Sequence, residues 1–395
     1  MTTAVSEAPV TDVVRPAPLR VGVLAAVDSR APGAAWSAVA YYMSRALERH
    51  LGDVVHLSPR CGEEPLLPRA VNSVAALIGV TYDCHNSMLE ARRWSRRIKQ
   101  GLKTVDMLVV CGQAALIALL DADVPVVYSS DATFDLVRDY YPFYTRLPRW
   151  NARVSERLEQ LALQRADLIS YPSVWAARSA LEHYRVPETK IHVAPYGANM
   201  EEVPPFLEAT SVRYERDCRL LFVGNDWQRK GGDIAVATTA SLRGQGIQAT
   251  LTVVGCSPEK AVPEYVRVVP RLHKSDPYDR ARLSALYLQS HFLVLPTRAD
   301  CTPHVICEAS AHGTPALVTD TGGVGGALRQ GTNGFLFARD ATAGEFARTI
   351  AALLSEPSRY ADLRETTRLA YDHELNWDAW AISLARRARQ VARGA

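Results

Sequence analysis

Short apolar runs separated by helix-length amphipathic segments recur twice along this chain, and that alternation confines it to the α/β class with parallel sheets. In the first half the runs are 20–27, 107–111, 125–128, 168–171 and 191–195, with helical stretches such as 35–49 and 151–165 between them. The pattern restarts at 219–223 and continues through 250–254, 266–269, 291–295 and 316–319, with helices expected over 233–245 and 279–289. Residues 201–217 are acidic, Pro-containing and weakly periodic, as an interdomain linker would be. Two halves of like layout, without an internal sequence repeat, predict two Rossmann-like domains, 19–200 and 218–360. Residues 1–18 read as a disordered leader. The segment 362–393 is expected to be helical and carries Trp377 and Trp380.

Composition narrows the function classes. At 48% hydrophobic and 22% charged the chain is an ordinary globular protein, and a net charge of +3 does not point to nucleic acid. The seven cysteines (Cys61, Cys84, Cys111, Cys218, Cys256, Cys301, Cys307) form no metal-ligand spacing, and most lie in apolar runs. Reduced, buried thiols in a cytoplasmic protein are the expectation. No apolar run reaches the roughly 18 residues of a membrane span, so any membrane association is expected to be peripheral.

The densest chemistry lies after residue 299. It reads Asp-Cys-Thr-Pro-His-Val-Ile-Cys-Glu, setting Asp300 and Glu308 eight positions apart across a loop that turns into a helix. A turn, Gly313-Thr314-Pro315, leads out to the next apolar run. A loop between a parallel strand and a helix N-terminus offers unpaired N–H groups, a seat for phosphate. Pro303 has no N–H, so that seat must rest on amides near His304 and Val305. Carboxylates flanking it can accept hydrogen bonds from sugar hydroxyls, and the combination suggests a nucleotide-sugar site. Upstream, an apolar run enters Gly224-Asn225-Asp226-Trp227-Gln228-Arg229-Lys230-Gly231-Gly232. Its glycines allow close backbone approach, and Arg229 with Lys230 can neutralise a diphosphate. The plain alternative is a solvated basic turn with a C-cap glycine.

These stretches together resemble the retaining GT-B glycosyltransferases of family 4 (glycosyl transferases group 1), over roughly residues 20–380. The family pattern is Glu, seven residues, Glu, then a Gly-x-Pro turn and a Gly-Gly loop. Asp300 replaces the first Glu, Gly322 and Gly323 supply the pair, and Gly326 stands where an acid often follows. The resemblance implies two Rossmann-like domains with parallel sheets facing across a cleft, and a C-terminal helix (361–395) crossing back to the first. It implies transfer from a nucleotide diphosphate sugar, UDP-linked by default, with retention and with no metal or cofactor. Lys230 and Gly231 would grip the diphosphate, Asp300 the transferred sugar and Glu308 the ribose. Gly224, Thr302, His304 and Val305 fall on the same donor motifs. Many relatives carry Arg at the position of Asn225, and Arg229 would supply that charge here. His273 and Lys274 fall where relatives hold the base. Loss of Lys230 is expected to cost rate far more than fold.

In the first half, the loop bearing Gly33 resembles the family's glycine loop, which faces the diphosphate and acceptor across the cleft; Trp36 and Ser37 would line the acceptor pocket, or Trp36 would belong to the core. Asp131 stands where relatives often have a His touching the donor sugar. It would hold a sugar hydroxyl or the acceptor, or simply cap a helix. Asp121-Ala-Asp123 sits between a helix and a strand and is not read as a metal site; the basic run 92–99 reads as a solvated helix face, with anionic lipid as the alternative. His304 and His312 lack partners at triad spacing and are not assigned as bases. The acceptor is unspecified: small molecule, glycan or lipid-linked. The aromatic-rich loop 134–150 suits either stacking on an acceptor or interface packing. Two rival readings remain, a non-catalytic nucleotide-sugar binder and a phosphorylase-like transfer on the same scaffold.

Overall fold

The computed structural model describes residues 18–31, 38–59, 79–211, 217–258 and 260–394. Its first sheet contains β1 (Leu19–Ala25), β2 (Gly52–His56), β3 (Met107–Cys111), β4 (Val126–Ser129), β5 (Leu168–Tyr171) and β6 (Ile191–Val193), in the order β2-β1-β3-β4-β5-β6. The second contains β7 (Asp217–Val223), β8 (Gln248–Val254), β9 (Val266–Val269), β10 (Phe292–Leu295), β11 (Ala316–Thr319) and β12 (Gly334–Phe337), ordered β12-β11-β10-β7-β8-β9. Every pairing is parallel. Parallel strands are covered on both faces, which is why β3, β4, β5, β10 and β11 are buried at every residue. The fold class is therefore α/β with two doubly wound sheets.

Two strands lie outside the expected set, β2 and β12. Both are edge strands with partly exposed residues, so neither needs the unbroken apolar run that marks a central strand. The strand order reverses between β1 and β3 in the first sheet and between β7 and β10 in the second. Chain connections leave in opposite directions at such a point and open a crevice at the C-terminal ends of the strands.

The C-terminal segment, expected as one helix, is two: Pro357–His373 and Trp377–Gly394. Asn376 makes the break. Its amide donates to the Tyr371 and Asp372 carbonyls, and its Oδ1 accepts from Ala379 N–H at 2.8 Å, ending one helix and capping the next. The last helix buries Trp377, Trp380, Ala381, Leu384 and Ala388 against Val21, Val23 and Val39 of the first domain. The indole N–H of Trp380 donates to Ser170 Oγ, and that of Trp377 to Asn199 Oδ1. The segment 201–217 holds a short helix, Phe206–Thr210, docked by Arg364 and Arg368 onto the second domain. Among the described residues no helix is long and apolar enough to cross a membrane.

Candidate active site

β7 ends at Val223 and passes into a four-residue helix, Trp227–Lys230, whose first turn Asp226 caps by accepting from Arg229 N–H at 2.9 Å. Gly231 closes that helix at φ +77°, and a Cβ there would lie 2.0 Å from the Pro296 carbonyl oxygen, so only glycine fits. A Cβ at Gly224 would meet the Lys230 side chain at 3.0 Å. The two glycines thus aim Lys230 inward, at 8% exposure, into a cavity of about 320 Å³. This cavity sits at the switch point of the second sheet, between the loops that follow β7 and β10.

There Lys230 forms an ion pair with Asp300, 5% exposed. A second pair, Lys274 with Glu308, lies on the same wall; Glu308 also accepts from Tyr287 O–H at 3.2 Å. Four cations line the cavity (Arg229, Lys230, Arg271, Lys274) against three carboxylates (Asp131, Asp300, Glu308). Arg229 donates to the Ala299 carbonyl and Asn225 Oδ1 and lies 5.4 Å over the Tyr141 ring. Thr302 Oγ1 is buried with no hydrogen-bond partner, a group that a ligand on this wall would satisfy.

The helix His304–Ala311 opens on this cavity. His304 stacks on Tyr196 and Trp377, and burial holds its ring below the usual histidine range. Its Nδ1–H donates to the Gly197 carbonyl at 3.1 Å, leaving Nε2 as an acceptor. His312 lies behind the wall between Ser284 Oγ and the Glu308 carbonyl, with its pKa pushed down to about 4 by burial. It orients the helix and lies off the lining of this cavity.

The structure thus gathers Asp131, Gly224, Asn225, Arg229, Lys230, Asp300, Thr302, His304, Val305 and Glu308 around one cavity. Gly231 acts through its backbone, behind that wall. His273 is exposed and lies off the lining; its N–H donates to Asp279, and the adjacent Lys274 reaches the site instead. Gly33, Trp36 and Ser37 lie outside the described residues. The helix-cap alternative for Asp131 is set aside, because Thr133 occupies the N-cap of Phe134–Arg138. The ion pair also revises the expectation for Lys230: its loss leaves Asp300 buried and uncompensated, so fold as well as rate must suffer.

Arg271, on the same lining, escaped the sequence reading, and Lys274, expected only where relatives hold the base, is found paired with Glu308. Tyr140 and Tyr141, in the loop 134–150, reach across from the first domain: their hydroxyls accept from Asp300 N–H at 2.9 Å and Cys301 N–H at 3.0 Å. That loop therefore packs at the domain interface and holds the Asp300 backbone in place. At Gly326 a Cβ would lie 2.3 Å from the Pro172 carbonyl oxygen, which accounts for glycine where an acid often stands.

Both domains match family models. Residues 217–356 match "Glycosyl transferases group 1" and residues 37–202 match "Glycosyltransferase Family 4". The chain is 26% identical over 284 residues to a D-inositol 3-phosphate glycosyltransferase of Corynebacterium aurimucosum, covering 66% of this chain and 65% of that one. It spans from about half to just under two thirds of the length of the curated relatives it matches. Its fold is shared with sucrose-phosphate synthase from Thermosynechococcus elongatus (TM-score 0.68, 16% identity, 95% of this chain and 100% of that one). It is shared also with the Anabaena protein HepE solved with UDP-glucose (TM-score 0.56, 16% identity, 95% and 99% covered).

Proposed function

We propose, for a chain that is a glycosyltransferase of the group 1, family 4 type with the GT-B fold, that it moves a glycosyl group from a nucleoside diphosphate sugar, UDP-linked by default, to an acceptor hydroxyl with retention of configuration. The observation that carries this reading is the pair of lysine–carboxylate contacts, one buried and one half-buried, lining one switch-point cavity. A diphosphate would draw Lys230 away from Asp300, giving the anion its cation and releasing the carboxylate to accept from hydroxyls of the transferred sugar. Glu308, freed in part from Lys274, would accept from the ribose hydroxyls.

In the reaction the bond between the anomeric carbon and the diphosphate oxygen breaks, and a bond from the acceptor oxygen forms on the same face. The acceptor proton passes to the departing diphosphate oxygen, so the products are a glycoside and a nucleoside diphosphate. Lys230, Arg229 and the amides opening the helix His304–Ala311 carry the leaving charge. No protein nucleophile and no metal is invoked. Asp131, on the opposite wall, would hold the acceptor or a sugar hydroxyl.

Thermal stabilisation by UDP, GDP, ADP, CMP and dTDP tests the reading, with Lys230→Ala alongside. A shift with one diphosphate that disappears in the variant is the expected result. A folded protein that responds to none of them overturns the donor site.

A further inference from the structure

A second cavity, of about 300 Å³, lies over the first sheet. Its lining includes Ala25–Val27, at the end of β1, and Cys111–Ala114, at the end of β3, so it sits at the switch point of that sheet. Asp131 lines this cavity and the donor cavity alike, so the two adjoin at its carboxylate. Its volume is at the lower end of small-molecule sites, roughly 300–1,000 Å³.

The lining carries polar atoms that the protein itself does not satisfy. Glu159, on the helix Arg149–Arg165, is 5% exposed, and its Oε1 has no hydrogen-bond partner. Asn86 spends its amide N–H₂ on Asp83 Oδ2 at 2.8 Å, which fixes the amide orientation and leaves Oδ1 buried without a donor. Neighbouring hydroxyls are already engaged: Ser130 donates to the Ala132 carbonyl, and Thr133 pairs with Ser179. Burying such atoms unpaired costs roughly 1–3 kcal/mol each, so their presence on a cavity wall points to a ligand that supplies donors.

We propose that this cavity receives the acceptor as an uncharged polyhydroxylated molecule of monosaccharide or cyclitol size, with Glu159 as the residue that selects it over its phosphate ester. The inference rests on the donor-site reading above. A hydroxyl both donates and accepts, and so can satisfy Asn86 Oδ1 and either protonation state of the Glu159 carboxyl. A phosphate brings acceptors only, and among the described residues the charged side chains of this lining are Asp131 and Glu159, both acids. Phosphate recognition calls for Arg or Lys. Burial, reinforced by Glu156, pushes the Glu159 carboxyl up to about 8, so near neutrality it offers a proton as well as a lone pair. An acceptor hydroxyl bound there lies beside Asp131, on the side from which the donor sugar is reached.

The test measures nucleoside diphosphate release with UDP-glucose, UDP-galactose and UDP-N-acetylglucosamine as donors. Acceptors are D-glucose, D-galactose and myo-inositol set against glucose 6-phosphate and D-inositol 3-phosphate, with UDP thermal stabilisation read in parallel. We expect at least one neutral polyol to be glycosylated about tenfold or more faster than its phosphate ester. Glu159→Leu should raise acceptor KM about tenfold with an unaltered UDP shift, and Glu159→Gln, which keeps the hydrogen-bonding shape, should restore it. Preference for the phosphate esters, inertness of every neutral polyol, or an unchanged acceptor KM in Glu159→Leu would overturn the assignment. Absence of a shift with any of the five nucleotides in the folded parent protein would instead overturn the donor site, so the two failures are separable.

Discussion

Replacing Glu159 by Gln should change how stability depends on pH, and the structure sets both sign and size. The carboxyl is buried and pushed up to about 8 from an ordinary 4.5, chiefly by burial and then by Glu156. Below the ordinary value both folded and unfolded chains hold the proton, and Glu159 makes no difference to the balance. As pH rises the unfolded chain releases its proton while the folded chain keeps it, so stability falls at about 1.4 kcal/mol per unit. The fall ends once pH passes the folded value, about 8. A separation of about 3.5 units, from 4.5 to about 8, corresponds to a loss on the order of 5 kcal/mol across that window. The glutamine variant has no proton to lose. Near pH 5 it should match the parent protein to within ~1 kcal/mol, and near pH 9 it should be the more stable by several kcal/mol. Urea denaturation of both proteins across that range is the assay, and the difference between the profiles isolates Glu159 because all other titrating groups are shared. Glu156, Asp131 and the hydroxyls of Tyr128, Tyr144, Tyr171 and Tyr184 face or couple to it and are unchanged in the variant. Parallel profiles would refute the reasoning, since they would mean that the carboxyl is ionised in the fold and satisfied from elsewhere.

The remaining predictions concern the donor site and the two crossings between domains. Lys230→Ala should abolish nucleotide stabilisation, lower turnover by about 10²-fold or more, and cost roughly 3–5 kcal/mol by stranding Asp300. Lys230→Met with Asp300→Asn should recover most of that stability but not nucleotide binding, and a double variant that still responds to nucleotide would remove Lys230 from the site. Gly326→Glu, which brings in the acid often found there, should lower Tm and activity together, because its Cβ meets the Pro172 carbonyl oxygen at 2.3 Å; a fully active variant would contradict the interdomain contact. Trp380→Ala removes a side chain 1% exposed between the last helix and β5, and should cost about 3–5 kcal/mol in denaturant unfolding. Tyr141→Phe should cost about 1 kcal/mol through the lost bond to Cys301 N–H, with UDP stabilisation nearly intact.

Residue order alone carried the class of fold. Unbroken apolar runs such as 107–111 and 316–319 can be satisfied only as central strands of parallel sheets, because both of their faces must be covered. Local chemistry was legible for the same reason: Gly224, Arg229, Lys230 and Gly231 are neighbours in sequence, and the turn that aims Lys230 is built from those residues. Glu308 and Asp300 likewise share one loop and one helix. What the tertiary structure decided are pairings between residues far apart in the chain, on which sequence periodicity is silent. Lys230 meets Asp300 across 70 positions, Lys274 meets Glu308 across 34, and Tyr140 reaches Asp300 across 160. Glu159 carried no signal at all, since a glutamate on an amphipathic helix ordinarily faces water. Only the packing of that helix against β4 and the turn Ala114–Leu116 after β3 turns it inward, onto the wall of the second cavity.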